Sequence, residues 1–107
     1  MKICLGTNWD DKLLEGVDDL NKEYEDVKIY EVFGAYKTSV VGSGRVSIML
    51  PKVTPNQAKD HIELARSVGL KFNYLINACC MGNREFHPKY HAQLIEYLDE
   101  IVNLGPD

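Results

Sequence analysis

Three times along the chain a short apolar run ends in polar residues, and three times a stretch with helical spacing follows. Lys2–Gly6 is the first run and predicts a strand, closed by Thr7, Asn8 and Trp9. Asp10 or Asp11 caps a helix that continues to about Tyr24. Leu13, Val17, Leu20 and Tyr24 fall on one stripe of it, and Asp and Glu fill the other face. Val27–Phe33 predicts a second strand, with Glu31 set among Ile29, Tyr30, Val32 and Phe33 and with Gly34 closing it. Thr38–Met49 has no helical stripe and contains Gly42-Ser43-Gly44-Arg45, which predicts a long loop with a short extended piece at Val46–Leu50.

Thr54-Pro55-Asn56-Gln57 carries a helix start: Thr54 caps, Pro55 takes the first helical position and Gln57 completes a capping box. Ala58, Ile62 and Ala65, with Val68 at the end, predict the buried stripe, and Gly69 the stop. The stretch from Lys71 to Glu85 organises the chain. Phe72–Ala78 predicts a third, buried strand, and Asn73, Asn77, Cys79, Cys80, Asn83, Arg84 and Glu85 crowd it and its exit. A last helix spans Pro88 to Asn103. Tyr90, Leu94, Tyr97, Ile101 and Leu104 line one face, Leu98 widens it, and Gly105-Pro106 ends it.

The order predicts one α/β domain over residues 1–107: three consecutive βα units with a parallel sheet ordered one-two-three. Right-handed crossovers put all three helices on one face of that sheet. The other face is then bare and both edge strands lack partners, whereas a parallel sheet is normally covered on both faces. The arrangement makes sense as the first part of a (β/α)8 TIM barrel, in which further units close the cylinder. The chain reaches Asp107 just where a fourth strand would begin. The expectation is an open arc with an apolar inner wall, which self-associates, binds a partner or is marginally stable.

Composition narrows the partners. A chain of 107 residues with 45% apolar content buries a core rather than staying disordered. A net charge of −4 argues against nucleic acid, which needs a basic surface. A small-molecule or peptide ligand remains compatible. The three cysteines, Cys4, Cys79 and Cys80, form a poor disulfide framework. With no signal-peptide pattern at the start, they point to reduced thiols in the cytoplasm. No apolar run is long enough for a membrane span.

Asn8, Glu31, Asn77 and Cys80 sit at or near the strand exits, which share one rim in a barrel. Glu31 lies in an apolar strand, where a buried carboxylate is costly unless paired. Arg45 is its most attractive partner, in a structural ion pair or in a site. Gly42-Ser43-Gly44-Arg45 either cradles an anion or is a flexible turn with a solvated Arg, since it has neither dinucleotide nor P-loop spacing. Asn83 and Glu85 join the candidate substrate-binding residues. Cys80 beside His87 or His91 suggests a thiol nucleophile, and with Cys79 a zinc site. The spacing fits no standard zinc module, so no metal site is predicted. His61 is expected on the surface of its helix. The Tyr90 and Tyr97 stripe is core packing, and Trp9 covers either a ligand or the end of the core.

Several phrases together resemble the N-terminal region of one family. They are Gly6-Thr7-Asn8-Trp9-Asp10, Ile29-Tyr30-Glu31-Val32-Phe33-Gly34, and Gly42-Ser43-Gly44-Arg45 followed by Met49-Leu50-Pro51. The last is Phe72-Asn73-Tyr74-Leu75-Ile76-Asn77-Ala78 with Cys80, Gly82, Asn83 and Glu85-Phe86. The family is the collagenase-like peptidase family U-thirty-two, whose members are barrels. The resemblance covers nearly the whole chain but only the opening portion of a typical member. Some members assist hydroxylation of RNA or quinone precursors with an iron–sulfur cluster whose cysteines lie further along than this sequence reaches, so no cofactor is carried over. The resemblance implies a truncated or split portion of a peptidase-like TIM-barrel protein without independent catalysis. One alternative is an enzyme of hydrolase or hydroxylation type, completed as a homo-oligomer, with Glu31, Arg45, Asn77 and Cys80 lining a shared pocket. Another is a binding module that docks its bare sheet on the remainder of a barrel.

Overall fold

The computed structural model describes residues 1–38, 49–76 and 82–107. In order they form β1 (Lys2–Gly6), α1 (Asp11–Glu23), β2 (Lys28–Gly34), α2 (Pro55–Ser67), β3 (Lys71–Tyr74), a 3-10 turn at Arg84–Phe86, and α3 (Pro88–Leu104). The strands pair in parallel in the order β1-β2-β3. The chain is an α/β protein of three consecutive βα units.

Local chemistry sets the helix ends. Asp10 accepts the Lys12 N–H at the start of α1, and Thr54 and Gln57 close a reciprocal capping box around Pro55. His87 caps α3, its Nδ1 accepting the Lys89 N–H at 3.3 Å. Gly105 ends α3 at φ +79°, a conformation that costs a residue with a Cβ free energy.

One core lies between the sheet and the helices. Val32, Phe72 and Tyr74 pack there with Leu14 and Val17 of α1, Ala58, Ile62 and Ala65 of α2, and Tyr97, Ile101 and Leu104 of α3. Leu5 and Ile29 join it from the sheet. The helices touch in the order α1-α2-α3, so they form a single layer. Burying the valine, leucine, isoleucine and phenylalanine side chains among these stabilises the fold by roughly 1.5–3 kcal/mol each before entropy is counted.

Three expectations about packing are corrected. The buried stripe of α1 runs through Leu14 and Val17, whereas Leu20 and Tyr24 are exposed. They border a small apolar cavity with Ile3, Val27 and Ile29. The ladder of β3 ends at Tyr74, and Asn77 and Ala78 of the predicted strand lie outside the described residues. Leu75 still donates its N–H to the Gly34 carbonyl at 2.9 Å, but Ile76 is exposed. The sheet face turned away from the helices is mixed rather than wholly apolar, with half-buried Phe33 lying on it opposite Asn73. Lys71 and Asn73 are exposed and alternate with buried Phe72 and Tyr74, and Cys4 is exposed opposite Glu31. Of the predicted extended piece at Val46–Leu50, only Met49 and Leu50 are described, and neither is in a strand.

The sheet has two further features. The β1–β2 register slips between Ile3 and Cys4, which leaves Tyr30 as the extra residue of a bulge. Lys2 and Lys71 place their ammonium groups over its ring, at 4.9 and 5.8 Å. Beside the bulge, the Asn21 amide donates to the Ile29 carbonyl at 2.7 Å and accepts the Ile29 N–H at 2.9 Å, tying α1 to β2. At the far edge, Asp107 donates its N–H to the Phe72 carbonyl at 2.9 Å, and its carboxylate accepts the Phe72 N–H at 2.9 Å.

Candidate functional site

The carboxyl ends of the strands carry the polar chemistry that the fold brings together. Thr7 directly follows β1 and continues its ladder, its N–H donating to the Phe33 carbonyl at 2.9 Å. Its side chain turns into the core and meets His61 of α2, with Thr7 Oγ1 at 2.8 Å from His61 Nε2. The other ring nitrogen, Nδ1, lies 2.7 Å from Asp11 Oδ1 at the start of α1. A carboxylate only accepts, so Nδ1 carries a proton and donates it to Asp11. Nε2 shares the remaining hydrogen bond with the Thr7 hydroxyl, whose Oγ1 also accepts the Trp9 N–H at 3.1 Å.

His61 is only 1% exposed, so the surface histidine expected from the sequence is a buried one. The reason is positional. Residue 61 falls on the same stripe as Ala58, Ile62 and Ala65, and both nitrogens find partners on other elements, so burial leaves no polar atom unpaired. The spacing 58-61-62-65 is the signal that places it inward.

A threonine, a histidine and an aspartate in this order have the connectivity of a nucleophile, its base and an orienting acid. Thr7 is only 6% exposed, however, and neither it nor His61 lines the neighbouring cleft. The chain of bonds therefore works outward. It fixes Asp11, the exposed member, at the edge of that cleft.

Trp9 roofs the arrangement. Its backbone has φ +66°, a left-handed conformation that costs a tryptophan of order 1 kcal/mol. The indole N–H donates to the Ala35 carbonyl at 3.3 Å. The ring packs on Phe72, His61 and Tyr36 with centroids at 5.2, 5.4 and 5.6 Å. Trp9 thus covers the end of the core with one face. Its side also lines the cleft. Gly34 makes the close approach possible, because a Cβ there would sit 2.8 Å from the Thr7 methyl.

A second polar network lies between β2, β3 and α3. Tyr36 donates to Glu100 Oε1 at 2.8 Å, and Lys37 pairs with the other oxygen. The Tyr97 hydroxyl lies 3.4 Å from both the Tyr74 hydroxyl and the Lys37 carbonyl. Burial, then the bond to Glu100, hold the Tyr36 hydroxyl well above the usual phenol range. Burial and the contact with Tyr74 do the same for Tyr97. The hydrogen bond from Lys37 holds the Glu100 carboxyl below the usual carboxylate range, against the opposing effect of burial.

The residues singled out from the sequence fare unevenly. Glu31 is half-buried on the open face of the sheet, where Asn73 Nδ2 approaches its carboxylate at 3.5 Å. Asn8 is exposed, and its side chain accepts the Asp10 N–H at 3.0 Å to shape the turn into α1. Asn83 is exposed at φ +60°, ahead of the 3-10 turn. His87 is spent as a cap, and His91 is exposed on α3. Arg45, Asn77, Cys79 and Cys80, and the side chain of Glu85, lie outside the described residues. Among the described residues no group of acidic, histidine and cysteine side chains is arranged to hold a metal. No described helix is long and apolar enough to cross a membrane.

No family model, curated protein or solved structure matches the chain.

Proposed function

We propose that this chain is one arc of a (β/α)8-type barrel, as its resemblance to the collagenase-like peptidase family U-thirty-two implies. In this reading it acts when the rest of such a barrel, or further copies of the chain, cover its sheet. The observation that carries the reading is the placement of Asp107. It lies on the outer edge of β3, its backbone N–H donating to the Phe72 carbonyl and its side-chain carboxylate accepting the Phe72 N–H. The turn after α3 thus delivers the backbone to the sheet edge, as the turn after α1 delivers Lys28 to the Met1 carbonyl. The charged and amide side chains on the open face, Glu31, Lys71 and Asn73, suit a barrel whose rim chemistry needs them. The ends of the helical layer also expose apolar residues, Leu20 and Tyr24 on α1 and Ile95 and Val102 on α3.

Catalysis is not expected of the arc alone. Charge stabilisation in a reaction needs a site shielded from water, and an uncovered sheet face leaves its groups in a high dielectric. A second reading, an enzyme completed by a partner or by oligomerisation, draws its support from Asp11 being held at the carboxyl-end rim. Sedimentation velocity on the purified chain, with an apolar dye present, tests the main proposal. Association that grows with concentration, or dye uptake that falls as association proceeds, is the expected result. A monomer at every concentration that melts in one cooperative step and takes up no dye contradicts it.

A further inference from the structure

The cleft beside Asp11 has a volume of about 450 Å³ and is lined by Trp9, Asp11, Lys12, Lys52 and Asp60, among others. Its polar groups divide into two sets. The Asp10 and Gln57 side chains also border it, but both are committed to capping their own helices. Asp11 spends one oxygen on His61 and keeps the other. The side chains of Lys12, Lys52 and Asp60 have no hydrogen-bond or ion-pair partner among the described residues. Two cations and two anions therefore line one cleft without pairing with one another. At water's share of about 30 Å³ per molecule, the space takes an amino-acid-sized solute with solvent to spare.

We propose that this cleft binds a small zwitterion, an ammonium and a carboxylate on one short carbon skeleton. The ammonium meets Asp11 and Asp60, the carboxylate meets Lys12 and Lys52, and the skeleton lies against the Trp9 indole. His61 and Thr7 are positioning residues that hold Asp11 in place through the buried bonds. Exposed ion pairs are individually weak, so the affinity lies on the order of millimolar and depends on both charges being present. The inference stands on a single chain and does not rest on the barrel reading.

NMR titration of the chain with 4-aminobutyrate tests it, with butyrate and n-butylamine as single-charge controls. The zwitterion is expected to shift the Trp9 indole N–H and the Lys12 and Asp60 amides saturably, about tenfold more tightly than either control. Asp60→Asn and Lys12→Met are exposed substitutions, and their amide spectra report that the fold is kept. Each is expected to weaken the zwitterion several-fold. Equal binding of one control, the absence of a saturable shift at these three groups, or indifference to both substitutions overturns the proposal. A chain that associates but binds no zwitterion removes this inference and leaves the barrel reading standing. A strict monomer that binds it does the reverse.

Discussion

Two polar networks sit under the same rim, and they end differently. The Tyr36, Tyr74, Tyr97, Lys37 and Glu100 network closes on itself, since each described group finds its partner within the set. The Thr7, His61 and Asp11 chain starts in the core and stops at a carboxylate that is 59% exposed. A network whose groups pair with one another acts as a fastening, even though its Lys37 and Glu100 end is partly exposed. An open one also delivers a group to solvent at a fixed place. The contrast is the reason the proposed binding cleft is sought at Asp11 rather than among the tyrosines.

Breaking the open chain at its centre is expected to have the largest effect. His61→Ala removes a fully buried ring, takes away one of the two partners of the Thr7 hydroxyl and frees Asp11. The expected loss is about 3 kcal/mol, combining a cavity with a lost buried hydrogen bond. Urea unfolding measures it. Asp11→Ala leaves the cavity filled and is expected to cost less, about 1 kcal/mol. If the two substitutions cost the same, the buried part of the chain contributes nothing of its own.

The closed network predicts smaller changes, and they follow pH. Glu100 has a lowered folded value, so its contribution is complete above the ordinary carboxylate range and fades as pH falls through and below it. Tyr36 and Tyr97 have raised folded values, so theirs is complete below the ordinary phenol value of about 10 and fades as pH rises past it. Tyr36→Phe is expected to cost about 1.5 kcal/mol at neutral pH, and to flatten the alkaline limb more than the acid one. Thermal melts across the pH range read both effects. An alkaline limb unchanged by Tyr36→Phe removes this residue from the account.

Much of the architecture was legible because local chemistry encodes it. Asp10, the Thr54 and Gln57 box, Pro88 and Gly105 mark helix ends by rules that need no tertiary partner. The stripes of α2 and α3 likewise follow from spacing. His61 escaped because its partners, Thr7 and Asp11, lie more than forty residues away in sequence. A polar side chain on a buried stripe is tolerated only through such partners. The stripe of α1 was misplaced by one residue, since Leu13 and Leu14 are adjacent and only the packed sheet chooses between them. The polar positions on the open sheet face were legible in principle. Lys71-Phe72-Asn73-Tyr74 alternates with a period of two, but the apolar Leu75 and Ile76 that follow made the stretch resemble a continuous buried run. Of the candidate site, Trp9 was visible as a strand-exit residue and Asp11 only as a candidate helix cap, whereas the cleft joins residues from two helices and the segment before α2.

The most direct test is the protonation pattern of the His61 ring, observed by nitrogen-15 NMR through its long-range proton couplings. A buried ring bonded to Asp11 and Thr7 predicts a slowly exchanging proton on Nδ1, lost to fast exchange in Asp11→Ala. An imidazole with its proton on Nε2, or one that exchanges freely with water in the unaltered protein, contradicts the account.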